Sequence, residues 1–454
     1  MKKSLFARFI NFCLPIVFIV YLLWVLLVNV VAPTTAIYDF FQKPVVSTLT
    51  TYKGVILIIY FILVMIANKK FPPWNAVIAF LLLGIYTLLL IYFLPRSRVF
   101  ILDDSSVISV SLSLKEQFSY YGPYIVGIIF AFGLFYILPM TGKGHKWNNV
   151  VLYFILTVAI VSLAYSYIAE KDLYVRFFNG DYTNKWQLNI SSFFGNKNRY
   201  GLVLFAGYAV CLAFSGAKKS LAKVFYLLVA LFFWANTYVI RCDDAFMAGA
   251  VGFLFYLFGY FLTGVKKYKV LSWCGFTLVI GSIIAVIVIS SLPEFYENYS
   301  VFEKIHSFLG QFSSFTGRVG IWAMYLSHLS PINIFFGQGA IGEYTYMAYD
   351  SGTIEAFSLH NGFLDYFNAG GIIFVAFLFV LVAKNFKYIL TFKKDSPSLF
   401  AALLGLLGAY VIYGFAEVFT PYTGRFINTA GVAFILTIFP MGYEKEEEVR
   451  DFSI

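Results

Sequence analysis

Charged residues are scarce in this sequence of 454 residues: they make up 12%, against about 25% in soluble domains. Cysteine and histidine are scarcer still, with four of each. Three of the cysteines lie in apolar runs and none has metal-ligand spacing, so neither a disulfide framework nor a zinc site is predicted. The low charge, together with 60% hydrophobic residues, excludes a large soluble domain and predicts an integral membrane protein.

The motifs of several enzyme classes are also missing. No P-loop, no GxSxG elbow and no HExxH helix occurs, which disfavours ATP-driven and hydrolytic functions. The aspartate pairs Asp103-Asp104 and Asp243-Asp244 lack the DxD spacing common in metal-using glycosyltransferases and are interpreted as interfacial charges. We therefore expect neither a bound metal nor another cofactor.

Long apolar runs are abundant. A helix needs about 20 apolar residues to cross a hydrocarbon layer of about 30 Å, and only a helix satisfies its own backbone there. This length predicts an all-α, polytopic transmembrane bundle of about twelve spans in a single domain. The first run continues to Ala32 without a cleavage site, so it is interpreted as a retained span. The predicted spans are residues 10–32, 48–67, 75–94, 121–140, 149–168, 200–216, 223–240, 245–264, 270–292, 366–383, 398–417 and 424–441.

Lysine and arginine are distributed unevenly between the connections. The N-terminus and the predicted inner connections hold 17 basic residues and one acidic residue, whereas the outer segments hold 14 basic and 17 acidic residues. Basic residues collect on the cytoplasmic side of membrane proteins, so both termini are predicted to be cytoplasmic. Topology thus accounts for most of the net charge of +10, and nucleic acid is not expected as a partner. The acidic tail, residues 442–454, is interpreted as solvated and cytoplasmic.

Three outer connections are predicted to be long: residues 95–120, 169–199 and above all 293–365, the loop between spans 9 and 10. Every inner connection is short, so chemistry is expected on the outer face. The largest loop is rich in aromatic residues and should contact the interface. Within it, residues 318–329 are predicted to form a short helix along the membrane surface that ends before Pro331.

Two residues of this large loop could carry chemistry. His360 lies where the loop re-enters the membrane, and an N-cap at Ser358 would place it in the first helical turn. There the helix dipole favours neutral imidazole, which can act as a base, although a helix-start histidine without a catalytic role fits the local sequence equally well. Arg318 follows the hydroxyl and glycine residues of 313–317, which could expose backbone N–H groups to an anion.

A third residue, Arg241, is the only basic residue in the very short outer turn between spans seven and eight. A basic residue at such a membrane boundary is a candidate for function. The alternative interpretation is an ion pair with Asp243 or Asp244.

The order of several short motifs resembles that of the O-antigen ligase and polysaccharide polymerase superfamily of membrane glycosyltransferases. That family carries TGR-x-x-x-W, G-x-G and HN-x-x-L in one large extracytoplasmic loop, late in a chain of about twelve spans. The resemblance covers about residues 190 to 385. The family often has Ser-Arg-Gly or Ser-Arg-Thr where this chain has Ile240-Arg241-Cys242. The matching segments are Gly195-Asn196-Lys197-Asn198, Thr316-Gly317-Arg318 with Trp322, Gly337-Gln338-Gly339, His360-Asn361-Gly362-Phe363-Leu364 and Gly370-Gly371.

The resemblance implies a multi-pass enzyme of the bacterial cytoplasmic membrane. It would transfer a glycan from undecaprenyl diphosphate to an acceptor sugar hydroxyl on the outer face, without metal and with inversion. His360 would be the base, Arg318 and Arg241 would bind the diphosphate, and Asn361 and Asn198 would support the substrate site. Implied partners are the lipid-linked oligosaccharide donor, the acceptor glycan, membrane lipids, and flippase and chain-length regulator proteins.

Two alternatives fit the same sequence. A ligase, which joins the glycan to a lipid core, needs the same donor site as a polymerase. Polymerase is preferred because the aromatic outer loop could accommodate a long nascent glycan. A flippase or other transporter of lipid-linked oligosaccharide also has about twelve spans, but transporters concentrate polar groups in broken helices at mid-membrane, whereas the candidates here cluster outside.

The charge distribution predicts that residues 293–360 are extracytoplasmic. In a Cys-free variant, Glu343→Cys or Glu355→Cys should react with a membrane-impermeant maleimide in intact cells or spheroplasts, whereas Lys266→Cys should react only after the membrane is disrupted. The opposite pattern would reverse the predicted orientation.

Overall fold

Seven helices within the described residues are long and apolar enough to cross a membrane. The predicted class, a polytopic helical membrane protein, is therefore confirmed. The computed structural model describes residues 5–13, 16–17, 20, 53–94, 97–101, 107–137, 140, 144–181, 187–195, 197–218, 220–263, 297–299, 322, 325–326, 329–337 and 361–416. The seven helices are Trp74–Phe93, Leu152–Ala169, Lys197–Ala217, Leu221–Val239, Asp243–Thr263, Gly362–Val380 and Pro397–Gly414.

Each of these seven helices overlaps a predicted span. The predicted span 48–67 overlaps a shorter apolar helix, and 121–140 overlaps a helix that ends in one π-helical turn. Most of 10–32 and all of 270–292 and 424–441 lie outside the described residues, so the total of twelve stays a prediction.

The described elements are helical except for one short hairpin. In chain order they are α1 (Lys53–Asn68), α2 (Trp74–Phe93), β1 (Ser97–Ile101), β2 (Val107–Ser111), α3 (Leu114–Phe132) with the π-helical turn Gly133–Ile137, α4 (Gly144–Ala169), α5 (Lys171–Asn179), a 3₁₀ turn (Ser192–Phe194), α6 (Lys197–Ala217), α7 (Ser220–Val239), α8 (Asp243–Thr263), α9 (Pro331–Phe336), α10 (Gly362–Asp395) and α11 (Pro397–Ala416).

Helix α6 lies at the centre of the larger apolar cluster, with 17 of its 21 residues buried. Glycines let its neighbours approach: a Cβ atom added at any of three positions would lie less than 3 Å from a neighbouring side chain. Small residues favour helix association in membranes because lipid supplies little hydrophobic force between helices. The pairs are Gly201 with Cys242, Gly207 with Ala159, and Gly216 with Ala402.

Helices α8 and α11 are antiparallel and packed almost backbone to backbone. Gly252 lies against Ala409, and Gly259 lies against Ala401. Gly216, near the end of α6, contacts the start of α11, so α6 is also antiparallel to α11. Helices α6 and α8 therefore both begin at the end of the bundle where α11 finishes. Helix α10 also begins there, since only Ser396 separates its last residue from the start of α11.

A second apolar cluster joins α2, α3 and α10. Phe80 of α2 contacts Phe132 of α3 and Phe377 of α10, with ring centroids 5.1 and 5.8 Å apart. Nearer the start of both helices, the Tyr121 hydroxyl of α3 donates to the carbonyl oxygen of Ala369 in α10 at 2.8 Å. Helices α3 and α10 therefore run in the same direction. We call the end where α3, α6, α8 and α10 begin the hairpin end.

The hairpin lies within residues 95–120, which were predicted only as a long outer connection. Strands β1 and β2 pair antiparallel, with Val99 opposite Ser109. A capping box then starts α3: the Ser113 N–H donates to Glu116 Oε2 at 2.7 Å, and the Glu116 N–H donates to Ser113 Oγ at 3.2 Å. Hydrogen bonds from the Ser113 side chain and backbone to the Glu116 carboxylate stabilise its charged form and lower the pKa of Glu116.

Helix α10 is broken eight residues after it begins. Gly370 (φ −150°, ψ 19°) and Gly371 (φ 61°, ψ −156°) leave the helical conformation. The conformation of Gly371 belongs to a region that is nearly restricted to glycine. The break frees carbonyl oxygens that an intact helix would satisfy.

Tyrosines and the short helix α9 cover this break. The Tyr121 hydroxyl donates a hydrogen bond to the Ala369 oxygen. The Tyr86 hydroxyl lies 3.0 Å from the Gly370 oxygen and 3.1 Å from the Phe335 oxygen of α9. A Cβ at Gly371 would lie 2.2 Å from that same Phe335 oxygen. A Cβ at Gly337, just after α9, would lie 2.3 Å from the Asn368 oxygen. The two glycine motifs of the resemblance, at 337 and 370–371, thus touch each other through their backbones.

Helix α9 was not predicted. Ser330-Pro331 was expected only to stop a preceding helix, whereas Ser330 caps α9 and Pro331 is its first residue. Of the predicted helix 318–329, the described residues 322, 325 and 326 are helical and 329 is not, and the others lie outside the described residues.

The contact at the break predicts that Gly371→Ala is strongly destabilising. The positive φ alone costs roughly 1–3 kcal/mol for a residue with a side chain, and the Cβ would also displace α9. The measurement is the thermal unfolding temperature in detergent or nanodiscs. Gly84→Ala is the control, because no atom lies within 4 Å of a Cβ at that helical position. Equal unfolding temperatures for the two variants would contradict the described packing.

Candidate functional site

Three of the five predicted site residues lie in described parts of the chain, and all three are at the hairpin end. Arg241 is in the turn between α7 and α8, Asn198 is in the first turn of α6, and Asn361 directly precedes α10. His360 and Arg318 lie outside the described residues. The structure therefore places Arg241, Asn198 and Asn361, and the placement of His360 and Arg318 stays a prediction.

Arg241 occupies a backbone position that usually belongs to glycine. Its φ is 58°, in the left-handed region. The Arg241 N–H donates to the Tyr238 oxygen at 2.9 Å, and the Cys242 N–H donates to the Thr237 oxygen at 3.0 Å. These two bonds form a Schellman motif that ends α7, and Arg241 takes the position at which glycine is commonest. An arginine in this conformation costs stability, so its side chain is a candidate for function.

The Arg241 side chain is also largely out of solvent. The residue is 7% exposed, and its guanidinium carbon lies 5.5 Å from the centre of the Tyr238 ring. Asp243 and Asp244 follow in the first turn of α8, where the helix dipole favours acidic side chains. Asp244 is 7% exposed, so the aspartate pair is less peripheral than the interpretation as interfacial charges implied.

The first turn of α6 is placed by a carboxylate at the end of α4. Glu170 accepts hydrogen bonds from the backbone N–H of Ser191 at 3.0 Å and of Ser192 at 2.8 Å, and from the Ser191 hydroxyl at 3.3 Å. The side-chain oxygen of Asn189 accepts from the Lys197 N–H at 3.3 Å, where α6 starts. The Glu170 bonds thus hold the start of the 3₁₀ turn against the end of α4, and the Asn189 bond joins the segment before that turn to the start of α6.

Buried hydroxyl groups continue this support. The Ser166 hydroxyl of α4 lies 2.8 Å from the Tyr174 hydroxyl and 2.7 Å from the Tyr200 hydroxyl. Burial raises the pKa of Tyr174, in the connection after α4, to about 12. The Tyr167 hydroxyl donates to Asn236 of α7 at 2.7 Å. The ends of α4, α6 and α7 are therefore bound together next to the Arg241 turn.

Lys197 is a site residue that sequence reasoning missed. It is only 2% exposed, which is rare for lysine. Lys197 lies one helical turn before Gly201, on the face of α6 that contacts Cys242 and Ile240. The fold thus brings two buried basic residues, Lys197 and Arg241, to the same side of α6. The signal in the sequence was a lysine directly at the start of an apolar span, which was interpreted only as part of a motif around Asn198.

Asn361 has a structural role that corrects the predicted start of α10. Its side-chain oxygen accepts hydrogen bonds from the N–H groups of Phe363 at 3.0 Å and Leu364 at 3.1 Å. Asn361 rather than Ser358 is therefore the N-cap, and the prediction that His360 lies in the first turn of this helix is wrong. With its oxygen used twice, Asn361 could offer a substrate only its amide N–H groups.

Among the described residues, no group of three or more His, Cys, Asp or Glu side chains is arranged to hold a metal ion. The side chains at the hairpin end include the buried cations Lys197 and Arg241, the amides Asn198 and Asn361, and the buried carboxyl groups of Asp244 and Asp365. The cationic and amide groups among them can bind an anion or a hydroxyl-rich ligand. No protein-family model and no curated protein matches this chain.

The backbone and the side chain of Arg241 can be separated by two substitutions. Arg241→Gly and Arg241→Ala remove the same guanidinium, but glycine accepts the left-handed conformation and alanine does not. We expect the glycine variant to be more stable than the alanine variant by roughly 1–2 kcal/mol, measured by thermal or denaturant unfolding in detergent. If alanine were at least as stable as glycine, the strained turn would be wrong.

Proposed function

We propose that this protein is a bacterial polysaccharide polymerase of the cytoplasmic membrane. It transfers a glycan from undecaprenyl diphosphate to the hydroxyl of an acceptor sugar on the outer face. The observation that carries the proposal is the pair of buried basic residues, Lys197 and Arg241, on one side of α6 at the hairpin end. Burial of cations at the end of a membrane bundle is costly and is typical of functional sites.

Two cations suit a diphosphate leaving group. When the bond between the anomeric carbon and the diphosphate oxygen breaks, negative charge develops on that oxygen. Arginine neutralises such charge with a planar pair of donors, and lysine does so as a compact charge. In a partly desolvated site these interactions are stronger than in water. Arg318, from the large loop, is proposed to join them.

The acceptor hydroxyl must lose its proton while its oxygen attacks the anomeric carbon. His360 directly precedes the cap of α10 and is proposed to take that proton through a neutral imidazole nitrogen. The proton then resides on His360 and undecaprenyl diphosphate leaves with the bonding electrons. Direct displacement of this kind inverts the anomeric carbon.

A transporter is the second candidate, because helix α10 is broken within its membrane span, as transporter helices often are. In transporters, carbonyls freed by such a break commonly bind the coupling ion. Here the Ala369 and Gly370 carbonyls accept hydrogen bonds from Tyr121 and Tyr86 instead. Because these carbonyls are hydrogen-bonded within the protein, the break is proposed to have a structural role and not to bind an ion. Transferase therefore remains the first proposal.

The proposed roles predict a separation of binding from turnover. In nanodiscs, Arg241→Gln and Lys197→Gln should each weaken the binding of undecaprenyl diphosphate about tenfold or more, because a charge-assisted hydrogen bond contributes about 1.5–3 kcal/mol. His360→Ala should bind it normally but slow transfer by about 10²–10⁴-fold. Binding is measured by fluorescence quenching, and transfer by gel analysis of product from lipid-linked oligosaccharide extracted from the native host.

Asn149→Leu is the control, because Asn149 lies in the first turns of α4, at the opposite end of the bundle. A ladder from donor alone supports polymerase, and product only with an added lipid core supports ligase. Unchanged undecaprenyl diphosphate binding in both cation variants would refute the proposed site. Movement of labelled donor across proteoliposomes without elongation would establish the transporter instead.

A further inference from the structure

The start of helix α10 carries a polar stripe inside an otherwise apolar span. Asn361, Asp365 and Asn368 recur four and three residues apart, so they share one face of the helix. They are only 3%, 2% and 4% exposed. All three precede the break at Gly370, so the stripe is confined to the short segment of α10 at the hairpin end.

A fourth polar side chain reaches this level from α3. Gln117 is 1% exposed, and neither its side-chain oxygen nor its nitrogen has a hydrogen-bond partner. Gln117 lies one turn before Tyr121, and Asp365 lies one turn before Ala369, the residue whose oxygen Tyr121 contacts. Because α3 and α10 run in the same direction, Gln117 and Asp365 lie at the same level on facing sides of the two helices.

This arrangement costs stability unless a ligand satisfies it. Each buried polar atom without a hydrogen bond costs about 1–3 kcal/mol. Both polar atoms of Gln117 and the side-chain oxygen of Asn368 are buried without a partner. A leucine at position 117 or 368 would avoid this free-energy cost, because its side chain has no polar atom. Buried polar atoms without hydrogen-bond partners, on both α3 and α10, point to a ligand that binds between these two helices.

The chemistry of the stripe identifies the class of ligand. Two amides and one carboxyl group provide both donors and acceptors, as vicinal hydroxyl groups require. The stripe itself contains no basic residue, which disfavours a phosphate. The carbonyl oxygens at the break are already engaged by Tyr86 and Tyr121, so they do not complete a cation site.

We infer that Gln117, Asp365 and Asn368 form a sugar-binding subsite, which orients the acceptor hydroxyls beside the start of α10. That the bound sugar is the acceptor rests on the proposed function, but sugar binding at the subsite can be tested without any transfer reaction. The cap residue Asn361 follows His360 directly, so a sugar held by this stripe would lie close to the proposed base. Lys197 and Arg241 would hold the diphosphate from a different helix, α6, and its neighbouring turn.

The test uses the full-length protein in nanodiscs and, as probe, the free oligosaccharide released from the lipid donor by mild acid. Saturation-transfer difference NMR measures its binding. Gln117→Leu and Asn368→Leu should each weaken that binding about three- to tenfold, as expected for the loss of one or two neutral hydrogen bonds. Their thermal stability should equal or exceed that of the wild type, since leucine leaves no unsatisfied amide. Undecaprenyl diphosphate binding should not change.

Asn149→Leu again provides the control, because the Asn149 side-chain oxygen is also buried without a partner but lies in α4. It should not change oligosaccharide binding. Wild-type affinity in both Gln117→Leu and Asn368→Leu, or no signal from the wild-type protein, would overturn the subsite. Failure of the proposed function would be seen elsewhere, as unchanged undecaprenyl diphosphate binding in the Lys197 and Arg241 variants.

Discussion

Close approach of neighbouring backbones to helix α6 is the constraint on which the described part of the protein depends. In a membrane the usual hydrophobic driving force between helices is weak, so association depends on packing. Glycines at three levels of α6 admit Cys242, Ala159 and Ala402. The contact at Gly201 has a second effect, because it sets the turn that carries Arg241 against the helix that carries Lys197. The packing that holds the bundle therefore also assembles the candidate anion site.

The sequence predicted the spans much better than the connections. Runs such as Trp74–Phe93 and Pro397–Ala416 are recognisable because a fixed thickness of hydrocarbon demands a fixed length of apolar helix. The hairpin at 97–111 and helix α9 follow local rules, alternation of side chains and a Ser-Pro start, that a search for apolar runs passes over. The break at Gly370–Gly371 was visible only as a motif, because glycine pairs are also tolerated in unbroken membrane helices.

Only part of the candidate site could be predicted from the sequence, because burial and backbone conformation depend on the packing of helices. Arg241 stood out because it is alone in a short turn, but nothing in the sequence indicated its left-handed backbone. Lys197 and Gln117 looked like ordinary boundary residues, since burial depends on which helices surround them. The spacing of Asn361, Asp365 and Asn368 places them on one helix face, which the sequence shows. Only the packing against α3 shows that this polar face is buried. His360 and Arg318 rest on the sequence alone.

The break in α10 has a consequence for rotational phase. In a continuous helix, each residue is fixed at about 100° from the next, so the direction of the first two turns would dictate the direction of every later side chain. The non-helical angles at Gly370 and Gly371 replace that relation with a different rotation between the two segments. The segment before the break orients its polar stripe according to α3 and α9, while the segment after it orients apolar residues according to α2 and α11. One helix thereby presents two faces whose alignment differs from that of a continuous helix.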